Sequence, residues 1–242
     1  MRSTEGYLYW ITFIDDATRL WSVHLLRHKS DALQAFKAFK AFAENLIDKR
    51  IKALRDDKGG EYMSTEFTRL LAESGISRQH MVRNEPHQNG VAERANRTLA
   101  EGATAMLSES HLPALFWGYA IGALVHVHNR CPSAAIDGKI PYTAFFGKKP
   151  DVSYFCVFGC TAYVHVQKDK CKGLSPHTFQ CVFIGYPAEY KGWMFYNTLT
   201  KKKIISNTAE FDERAFPGLS RHTPPSLHLT LSCGSLNLAG EG

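Results

Sequence analysis

The sequence predicts a mixed α/β unit followed by a small all-β unit. Three observations carry this expectation. Over residues 7–130, short aromatic and β-branched runs alternate with stretches of helical periodicity in the order β-β-α-β-α-β-α, which suits a mixed sheet with helices packed on it. From Val157 to Asp212 the helical spacing gives way to short β-branched runs separated by turns at Gly173, Gly185 and Gly192, the pattern of a small barrel or sandwich. Between the two, Pro132 to Pro150 is punctuated by proline and glycine and reads as a bridge.

Each element has a local cause. Tyr7 to Ile14 and Leu20 to Leu26 are strand-like runs around an Asp15-Asp16-Ala17-Thr18 turn, a hairpin. Lys29-Ser30-Asp31 offers a cap, and Leu33, Phe36, Phe39 (or Lys40), Ala43, Leu46 and Ile47 follow at helical spacing. Ile51 to Arg55 is a short strand running to Asp57, with Gly59-Gly60 forcing a turn. Thr65 to Glu73 is a helix stopped at Gly75, and Ile76 to Val82 a further strand. Arg83 to Gly90 reads as a polar loop. A long helix is expected from about Val91 to Ser108, its apolar stripe Val91, Ala95, Leu99, Ala103, Met106 and Leu107. Pro113 opens the next helix, ending near Asn129 to Pro132. The expected units are 1–130, a bridge over 131–155, a β unit over 156–213, and a Ser/Leu/Gly-rich, poorly ordered tail over 214–242.

The chain has 242 residues, 44% hydrophobic and 21% charged, the balance of a globular protein with a real core. Its formal net charge of +6 makes a polyanionic partner plausible without demanding one. No apolar segment follows the basic N-terminus, and the stretch from Leu112 to Val127 is too short to span a bilayer. Six cysteines, Cys131, Cys156, Cys160, Cys171, Cys181 and Cys233, include no Cys-x-x-Cys pair and read as reduced, small buried hydrophobes rather than zinc ligands.

Two acidic residues stand out by context. Asp57 lies in Arg55-Asp56-Asp57-Lys58-Gly59-Gly60-Glu61-Tyr62, and Glu93 in Pro86-His87-Gln88-Asn89-Gly90-Val91-Ala92-Glu93-Arg94-Ala95-Asn96-Arg97. Taken singly, each has a plain explanation: a turn aspartate, and a first-turn glutamate favoured by the helix dipole. Together they suit metal and phosphate. Asp57 is placed at the C-terminal end of a strand. Glu93 lies about 200° around the helix from Val91, off the buried stripe. Arg97 is one turn further on the face of Glu93, with Arg94 adjacent, so guanidiniums flank the carboxylate.

The ordered set of Phe13-Ile14-Asp15-Asp16-Ala17-Thr18-Arg19, the Asp57 and Glu93 segments, Leu112 to Trp117, Asn129 to Ser133, Pro141 to Pro150, Val157 to Cys160 and Phe211-Asp212-Glu213 resembles the integrase region of Copia-type (Ty1/copia) retrotransposon polyproteins over about residues 6–213. The resemblance implies an RNase H-like mixed-sheet core followed by a small SH3-like β domain. It implies metal-dependent 3′-end processing and strand transfer on retroelement DNA ends and target DNA. Asp57 and Glu93 would be catalytic ligands of Mg²⁺ or Mn²⁺, with no small-molecule cofactor. Asn89, Gly90, Arg94 and Arg97 would lie in or beside a DNA-facing loop and helix. Lys168, Lys170 and Lys172, with Lys201, Lys202 and Lys203, would be phosphate contacts or else an ordinary solvated rim. A homo-multimer acting in the nucleus, or in an intracellular particle before import, is expected, with no membrane partner.

Two of the departures from the family bear on the acidic residues. The family's first Asp comes from a strand upstream of Tyr7 to Phe13, and this chain starts six residues before Tyr7 with Glu5 as its one carboxylate there. Lys58 replaces the usual Asn. The expectation is a truncated or degenerate copy, weak or inactive by itself, or else a non-catalytic remnant that binds nucleic acid or multimerises with intact integrase.

Overall fold

The computed structural model describes residues 1–56, 65–80, 86–166 and 177–219. The first part carries β1 (Tyr9–Ile14), β2 (Trp21–Leu26), α1 (Ala32–Ile47), β3 (Ala53–Asp56), α2 (Thr65–Glu73), β4 (Ser77–His80), α3 (Pro86–Glu109), α4 (Trp117–His128) and α5 (Pro141–Phe146). The second carries β5 (Thr161–His165), β6 (Thr178–Gly185), β7 (Trp193–Asn197), β8 (Lys202–Ser206) and β9 (Ala209–Asp212). It is a mixed α/β region followed by an all-β sheet, as the sequence predicts. Among the described residues, no helix is long and apolar enough to cross a membrane.

The α/β region departs from a single mixed sheet. β1 and β2 form an antiparallel hairpin with Tyr9 opposite Leu26 and Ile14 opposite Trp21. β3 and β4 form a separate parallel pair with Ala53 opposite Ser77 and Asp56 opposite His80. No described strand joins the two pairs. They are held by helices instead. Ile11 and Phe13 of β1, Phe36 of α1, Phe67 and Leu71 of α2, and Ile76 close one core. Phe13 stacks on Phe39 at 4.8 Å between centroids and meets Phe36 edge-on at 5.8 Å.

Helix boundaries follow local chemistry. Asp31 Oδ2 accepts from the backbone N–H of Arg27 and of His28, so the expected cap acts one turn before α1, across a 3₁₀ turn over Lys29–Asp31. Of the positions expected inside α1, Leu46 is instead exposed, because the buried stripe runs through Ala32, Ala35, Phe36 and Ala43. α3 begins at Pro86, five residues before the expected start. Proline near a helix N-terminus forfeits only an N–H that has no intrahelical acceptor, so it opens the helix instead of breaking a loop. Its expected stripe holds at Ala95, Leu99, Ala103 and Leu107, all buried. The helix expected to open at Pro113 is a 3₁₀ turn over Ala114–Phe116 leading into α4. The Pro/Gly bridge contains α5, which Pro141 opens and Gly147 closes at φ +68°.

The β unit is one five-stranded sheet in the order β8-β7-β6-β5-β9, all neighbours antiparallel. β6 is buried on both faces. Cys181 and Phe183 face the β core with Val164 and Phe195, while Val182 and Ile184 face Leu99, Ala120 and Ile121 of α3 and α4. α4 is consequently apolar around most of its circumference, since α3, β2 and β6 all pack on it. Close approach shapes these junctions. A Cβ on Gly102 would stand 2.6 Å from Leu124 Cδ2 across the α3–α4 contact.

Candidate acidic site and nucleic-acid interface

The site is built where the two sheet fragments face each other. A cavity of about 760 Å³ is lined by β1 on one side and β3 on the other. The apolar side chains Phe36, Phe39, Ala43 and Ile47 of α1 line it, and so do Val91, Ala92, Glu93 and Asn96 of α3. β1 reaches α3 directly, Thr12 Oγ1 donating to Asn96 Oδ1 at 3.3 Å.

Glu93 is exposed on α3 and lines this cavity. Asp57 lies outside the described residues, but Asp56, which precedes it on β3, lines the same cavity. Asp56 itself is spoken for: Arg78 Nε donates to its Oδ2 at 2.7 Å, in a pair 12% and 7% exposed. Asp15 and Asp16 also line the cavity, and both serve the hairpin turn. Asp15 Oδ2 accepts from Thr18 N–H at 2.9 Å and Thr18 Oγ1 at 2.6 Å, and Asp16 pairs with Arg19 at 2.8 Å. Glu5 pairs with Lys203. Among the described residues, no three metal-ligating side chains converge. These residues do not make up a site for Mg²⁺ or Mn²⁺ by themselves.

The DNA candidates divide by place. Asn89 and Gly90 lie in the first turn of α3 rather than in a loop. Arg94 folds back on that turn, its Nε donating to Gly90 O at 2.7 Å, so its guanidinium braces the start of the helix. Arg97 is exposed on α3. Lys168, Lys170 and Lys172 lie outside the described residues. Lys201 and Lys202 are exposed at the β7–β8 turn, Lys201 at φ +55°. Lys203 is engaged: it pairs with Glu5 and sits 5.9 Å over the Tyr119 ring, tying β8 to the N-terminal segment and α4. Nothing described joins these lysines to the Glu93 cavity. Sequence reading missed Lys49, Arg50 and Lys52, which are exposed and line that cavity. The dense cationic run Lys49-Arg50-Ile51-Lys52 was the available signal.

The cysteines divide: Cys131 is exposed and Cys156 half-buried, against the expectation, and Cys171 and Cys233 lie outside the described residues. Cys160 and Cys181 are fully buried and free, and burial pushes both thiols up to about 12, away from the thiolate a metal would need.

A family model of the retroviral polymerase SH3-like domain matches residues 160–224. The chain is 38% identical over 213 residues to the retrovirus-related Pol polyprotein from transposon TNT 1-94 of Nicotiana tabacum, and that stretch is 88% of this chain but 16% of the relative. It is 30% identical over 215 residues to the corresponding polyprotein from transposon RE1 of Arabidopsis thaliana, covering 89% of this chain and 14% of the relative. A simian T-cell lymphotropic virus intasome in complex with PP2A regulatory subunit B56 gamma gives 15% identity and a TM-score of 0.49 over 88% of this chain and 72% of that one. The HTLV-2 integrase catalytic core in complex with magnesium gives 19% identity and a TM-score of 0.42 over 55% of this chain and 82% of that one. The chain thus spans only about a sixth of the curated polyproteins it matches. Over nearly its whole length the chain is thus similar to one region of Copia-type retrotransposon Pol polyproteins, and it carries the retroviral polymerase SH3-like domain.

Proposed function

We infer that this chain engages retroelement DNA as part of an integrase and does not carry out strand transfer by itself. The observation behind the reading is the disposition of the acids around the cavity. Asp15, Asp16 and Asp56 are each committed to a local hydrogen bond or ion pair, and Glu5 is held by Lys203 on β8. A two-metal in-line displacement needs carboxylates that bridge both ions. Asp57 and Glu93 supply two, and the engaged acids are poor replacements for a third. With a third carboxylate supplied, Asp57 and Glu93 would act as ligands in Mg²⁺- or Mn²⁺-dependent 3′-end processing and joining. Arg97, Lys201 and Lys202 would meet phosphates, as their exposure and the net charge of +6 allow. The chain works as a homo-multimer in the nucleus, or in a particle before import. The solved intasome and trimeric integrase core named among the similar structures are the precedent for assembly, in those proteins.

The test is strand joining by the purified chain with Mg²⁺ or Mn²⁺, beside Glu93→Gln, together with duplex binding at several salt concentrations. The expected result is salt-sensitive binding without joining in either protein. Joining that disappears in Glu93→Gln would overturn the reading and show that an engaged acid is released to serve. Sedimentation and cell fractionation test the assembly and the compartment.

A further inference from the structure

Leu199 stands in the turn of the hairpin formed by β7 and β8, where Asn197 opposite Lys202 closes a loop of Thr198, Leu199, Thr200 and Lys201. Its exposure is 84%, above that of every other large hydrophobic side chain among the described residues. The loop that exposes it is tightly held. Asn197 is buried, and its Oδ1 accepts from the backbone N–H of Leu199 and of Thr200, both at 2.9 Å. Lys201 completes the turn at φ +55°, a backbone conformation that favours glycine. Behind the turn, Phe195 is fully buried, Tyr196 meets Phe116 edge-on at 4.9 Å, and Lys203 is tied to Glu5. The hairpin is a braced projection, so presenting Leu199 to a partner needs little further ordering.

Charge selects the partner. The stretch from Tyr190 to Ala209 contains Lys191, Lys201, Lys202 and Lys203 and no acidic residue. Lys201 and Lys202 are exposed close to Leu199 in sequence, and Thr198 and Thr200 flank it with short hydroxyls that can donate to phosphate or to base-edge acceptors. A duplex suits this combination: its phosphates take the lysines, and its stacked base pairs offer an apolar side chain somewhere to go. A lipid surface suits it less, because attachment there takes a whole apolar face rather than one leucine. We propose that Leu199 is a wedge that the β7–β8 hairpin inserts between base pairs of duplex DNA, so that the chain bends its duplex and selects steps that unstack readily. The sequence preference is then read through deformability, without base-specific hydrogen bonds. This rests on the reading of the chain as DNA-binding and adds to it a residue that chooses where on the duplex the hairpin sits.

The experiment uses the full chain and three short duplexes, alike except at the centre, which is an AA step, a TA step or a single mismatch. Each carries a donor and an acceptor dye at its two ends, so that bending raises energy transfer. The expected order of affinity is mismatch, then TA, then AA, with ~5-fold or more between the extremes, because unstacking costs least at a mismatch and less at TA than at AA. Energy transfer should rise on binding. Leu199→Ala should bring the three affinities within ~2-fold of one another and abolish the rise in energy transfer, while the salt slope, set by phosphate contacts, stays as it was. Leu199→Phe should restore both the order and the bend, since phenylalanine also serves as a wedge. Neither change should alter stability in urea, because the side chain is exposed. Equal affinities in the unchanged chain, or a preference and bend that survive Leu199→Ala, overturn the wedge and leave the DNA reading standing. Absence of duplex binding overturns both. Binding to vesicles of phosphatidylserine and phosphatidylcholine that Leu199→Ala abolishes, with duplex binding unaltered, overturns the wedge in favour of a lipid surface.

Discussion

Arg78 on β4 donates its Nε–H to Asp56 Oδ2 on β3 at 2.7 Å, and both side chains are nearly excluded from water. The pair cross-links β3 to its parallel neighbour β4, and Arg78 also lies over the Phe67 ring at 5.9 Å. In the tandem Asp56-Asp57, the first acid is therefore architectural. Removing one partner of a buried pair strands the other's charge, at about 3–5 kcal/mol. Asp56→Ala should lower unfolding stability by that amount in urea titration. Glu93→Ala, at an exposed position, should change it by less than about 0.5 kcal/mol. Equal losses from the two variants would show that Glu93, too, is a structural acid.

The junction between the α/β region and the β sheet is sensitive to acid through His126. Its ring stacks on Tyr186 at 4.1 Å and shares a 2.7 Å hydrogen bond with the Tyr154 hydroxyl. Burial, helped by the Arg130 charge, brings its pKa down to about 3 from 6.5. Between those values the unfolded chain takes up a proton that the folded chain refuses. Stability is full above pH 6.5 and falls as pH is lowered, by at most about 1.4 kcal/mol per pH unit for this group, less for its partial exposure. Burial also lowers His24 and His128, which adds slope of the same sign. Urea titrations at pH 7 and pH 5 should show the loss. His126→Phe, which keeps the ring stack, should flatten part of the slope while lowering stability at pH 7 through the lost hydrogen bond to the Tyr154 hydroxyl. An unchanged slope in that variant would place the acid sensitivity elsewhere.

Gly159 is where the β unit meets the end of α3. It has φ +81°, and a Cβ there would lie 2.0 Å from Ser110 Cβ, whose own residue is fully buried. Gly159→Ala should cost about 1–3 kcal/mol from crowding and a further ~1 kcal/mol from the left-handed backbone. Gly138 is the control: φ is +75° but nothing lies within 4 Å, so Gly138→Ala should cost only the backbone part. The double change Gly159→Ala with Ser110→Gly should recover part of the crowding loss. If Gly159→Ala and Gly138→Ala melt alike, the approach to Ser110 is not a tight one.

Much of this fold was legible because the periodicities are local. The stripe of α3 could be read from Ala95, Leu99, Ala103 and Leu107 without any knowledge of their partners, and the β-branched runs of the second unit fall on β5, β6, β7 and β8. The strand β9 was missed as an element, since four residues ending in Asp212 carry too little pattern. The split of the α/β sheet was not legible, because pairing is a long-range property and β1 alone looks like a strand with two neighbours. The site was legible in part. Glu93 could be placed off the buried stripe by helical geometry, but the engagement of Arg94 with Gly90 and of Lys203 with Glu5 depends on rotamers and on contacts nearly two hundred residues apart.

That last contact separates two kinds of lysine within one basic run. Lys201, Lys202 and Lys203 look alike in sequence, and all three are candidates for phosphate. Lys203 already faces Glu5 and the Tyr119 ring, and drawing it to DNA would first break that pair. Lys201 and Lys202 are exposed and have no such cost. A lysine that meets a phosphate contributes about one unit to the salt slope of binding. Lys201→Ala and Lys202→Ala should each weaken duplex binding across unrelated sequences and reduce that slope by roughly one. Lys203→Ala should leave the slope unchanged and instead loosen the N-terminal segment, read as faster amide exchange over residues 3–8. If Lys203→Ala lowers the slope as much as its neighbours do, the pair with Glu5 yields to phosphate and the edge strand β8 lies on the nucleic acid.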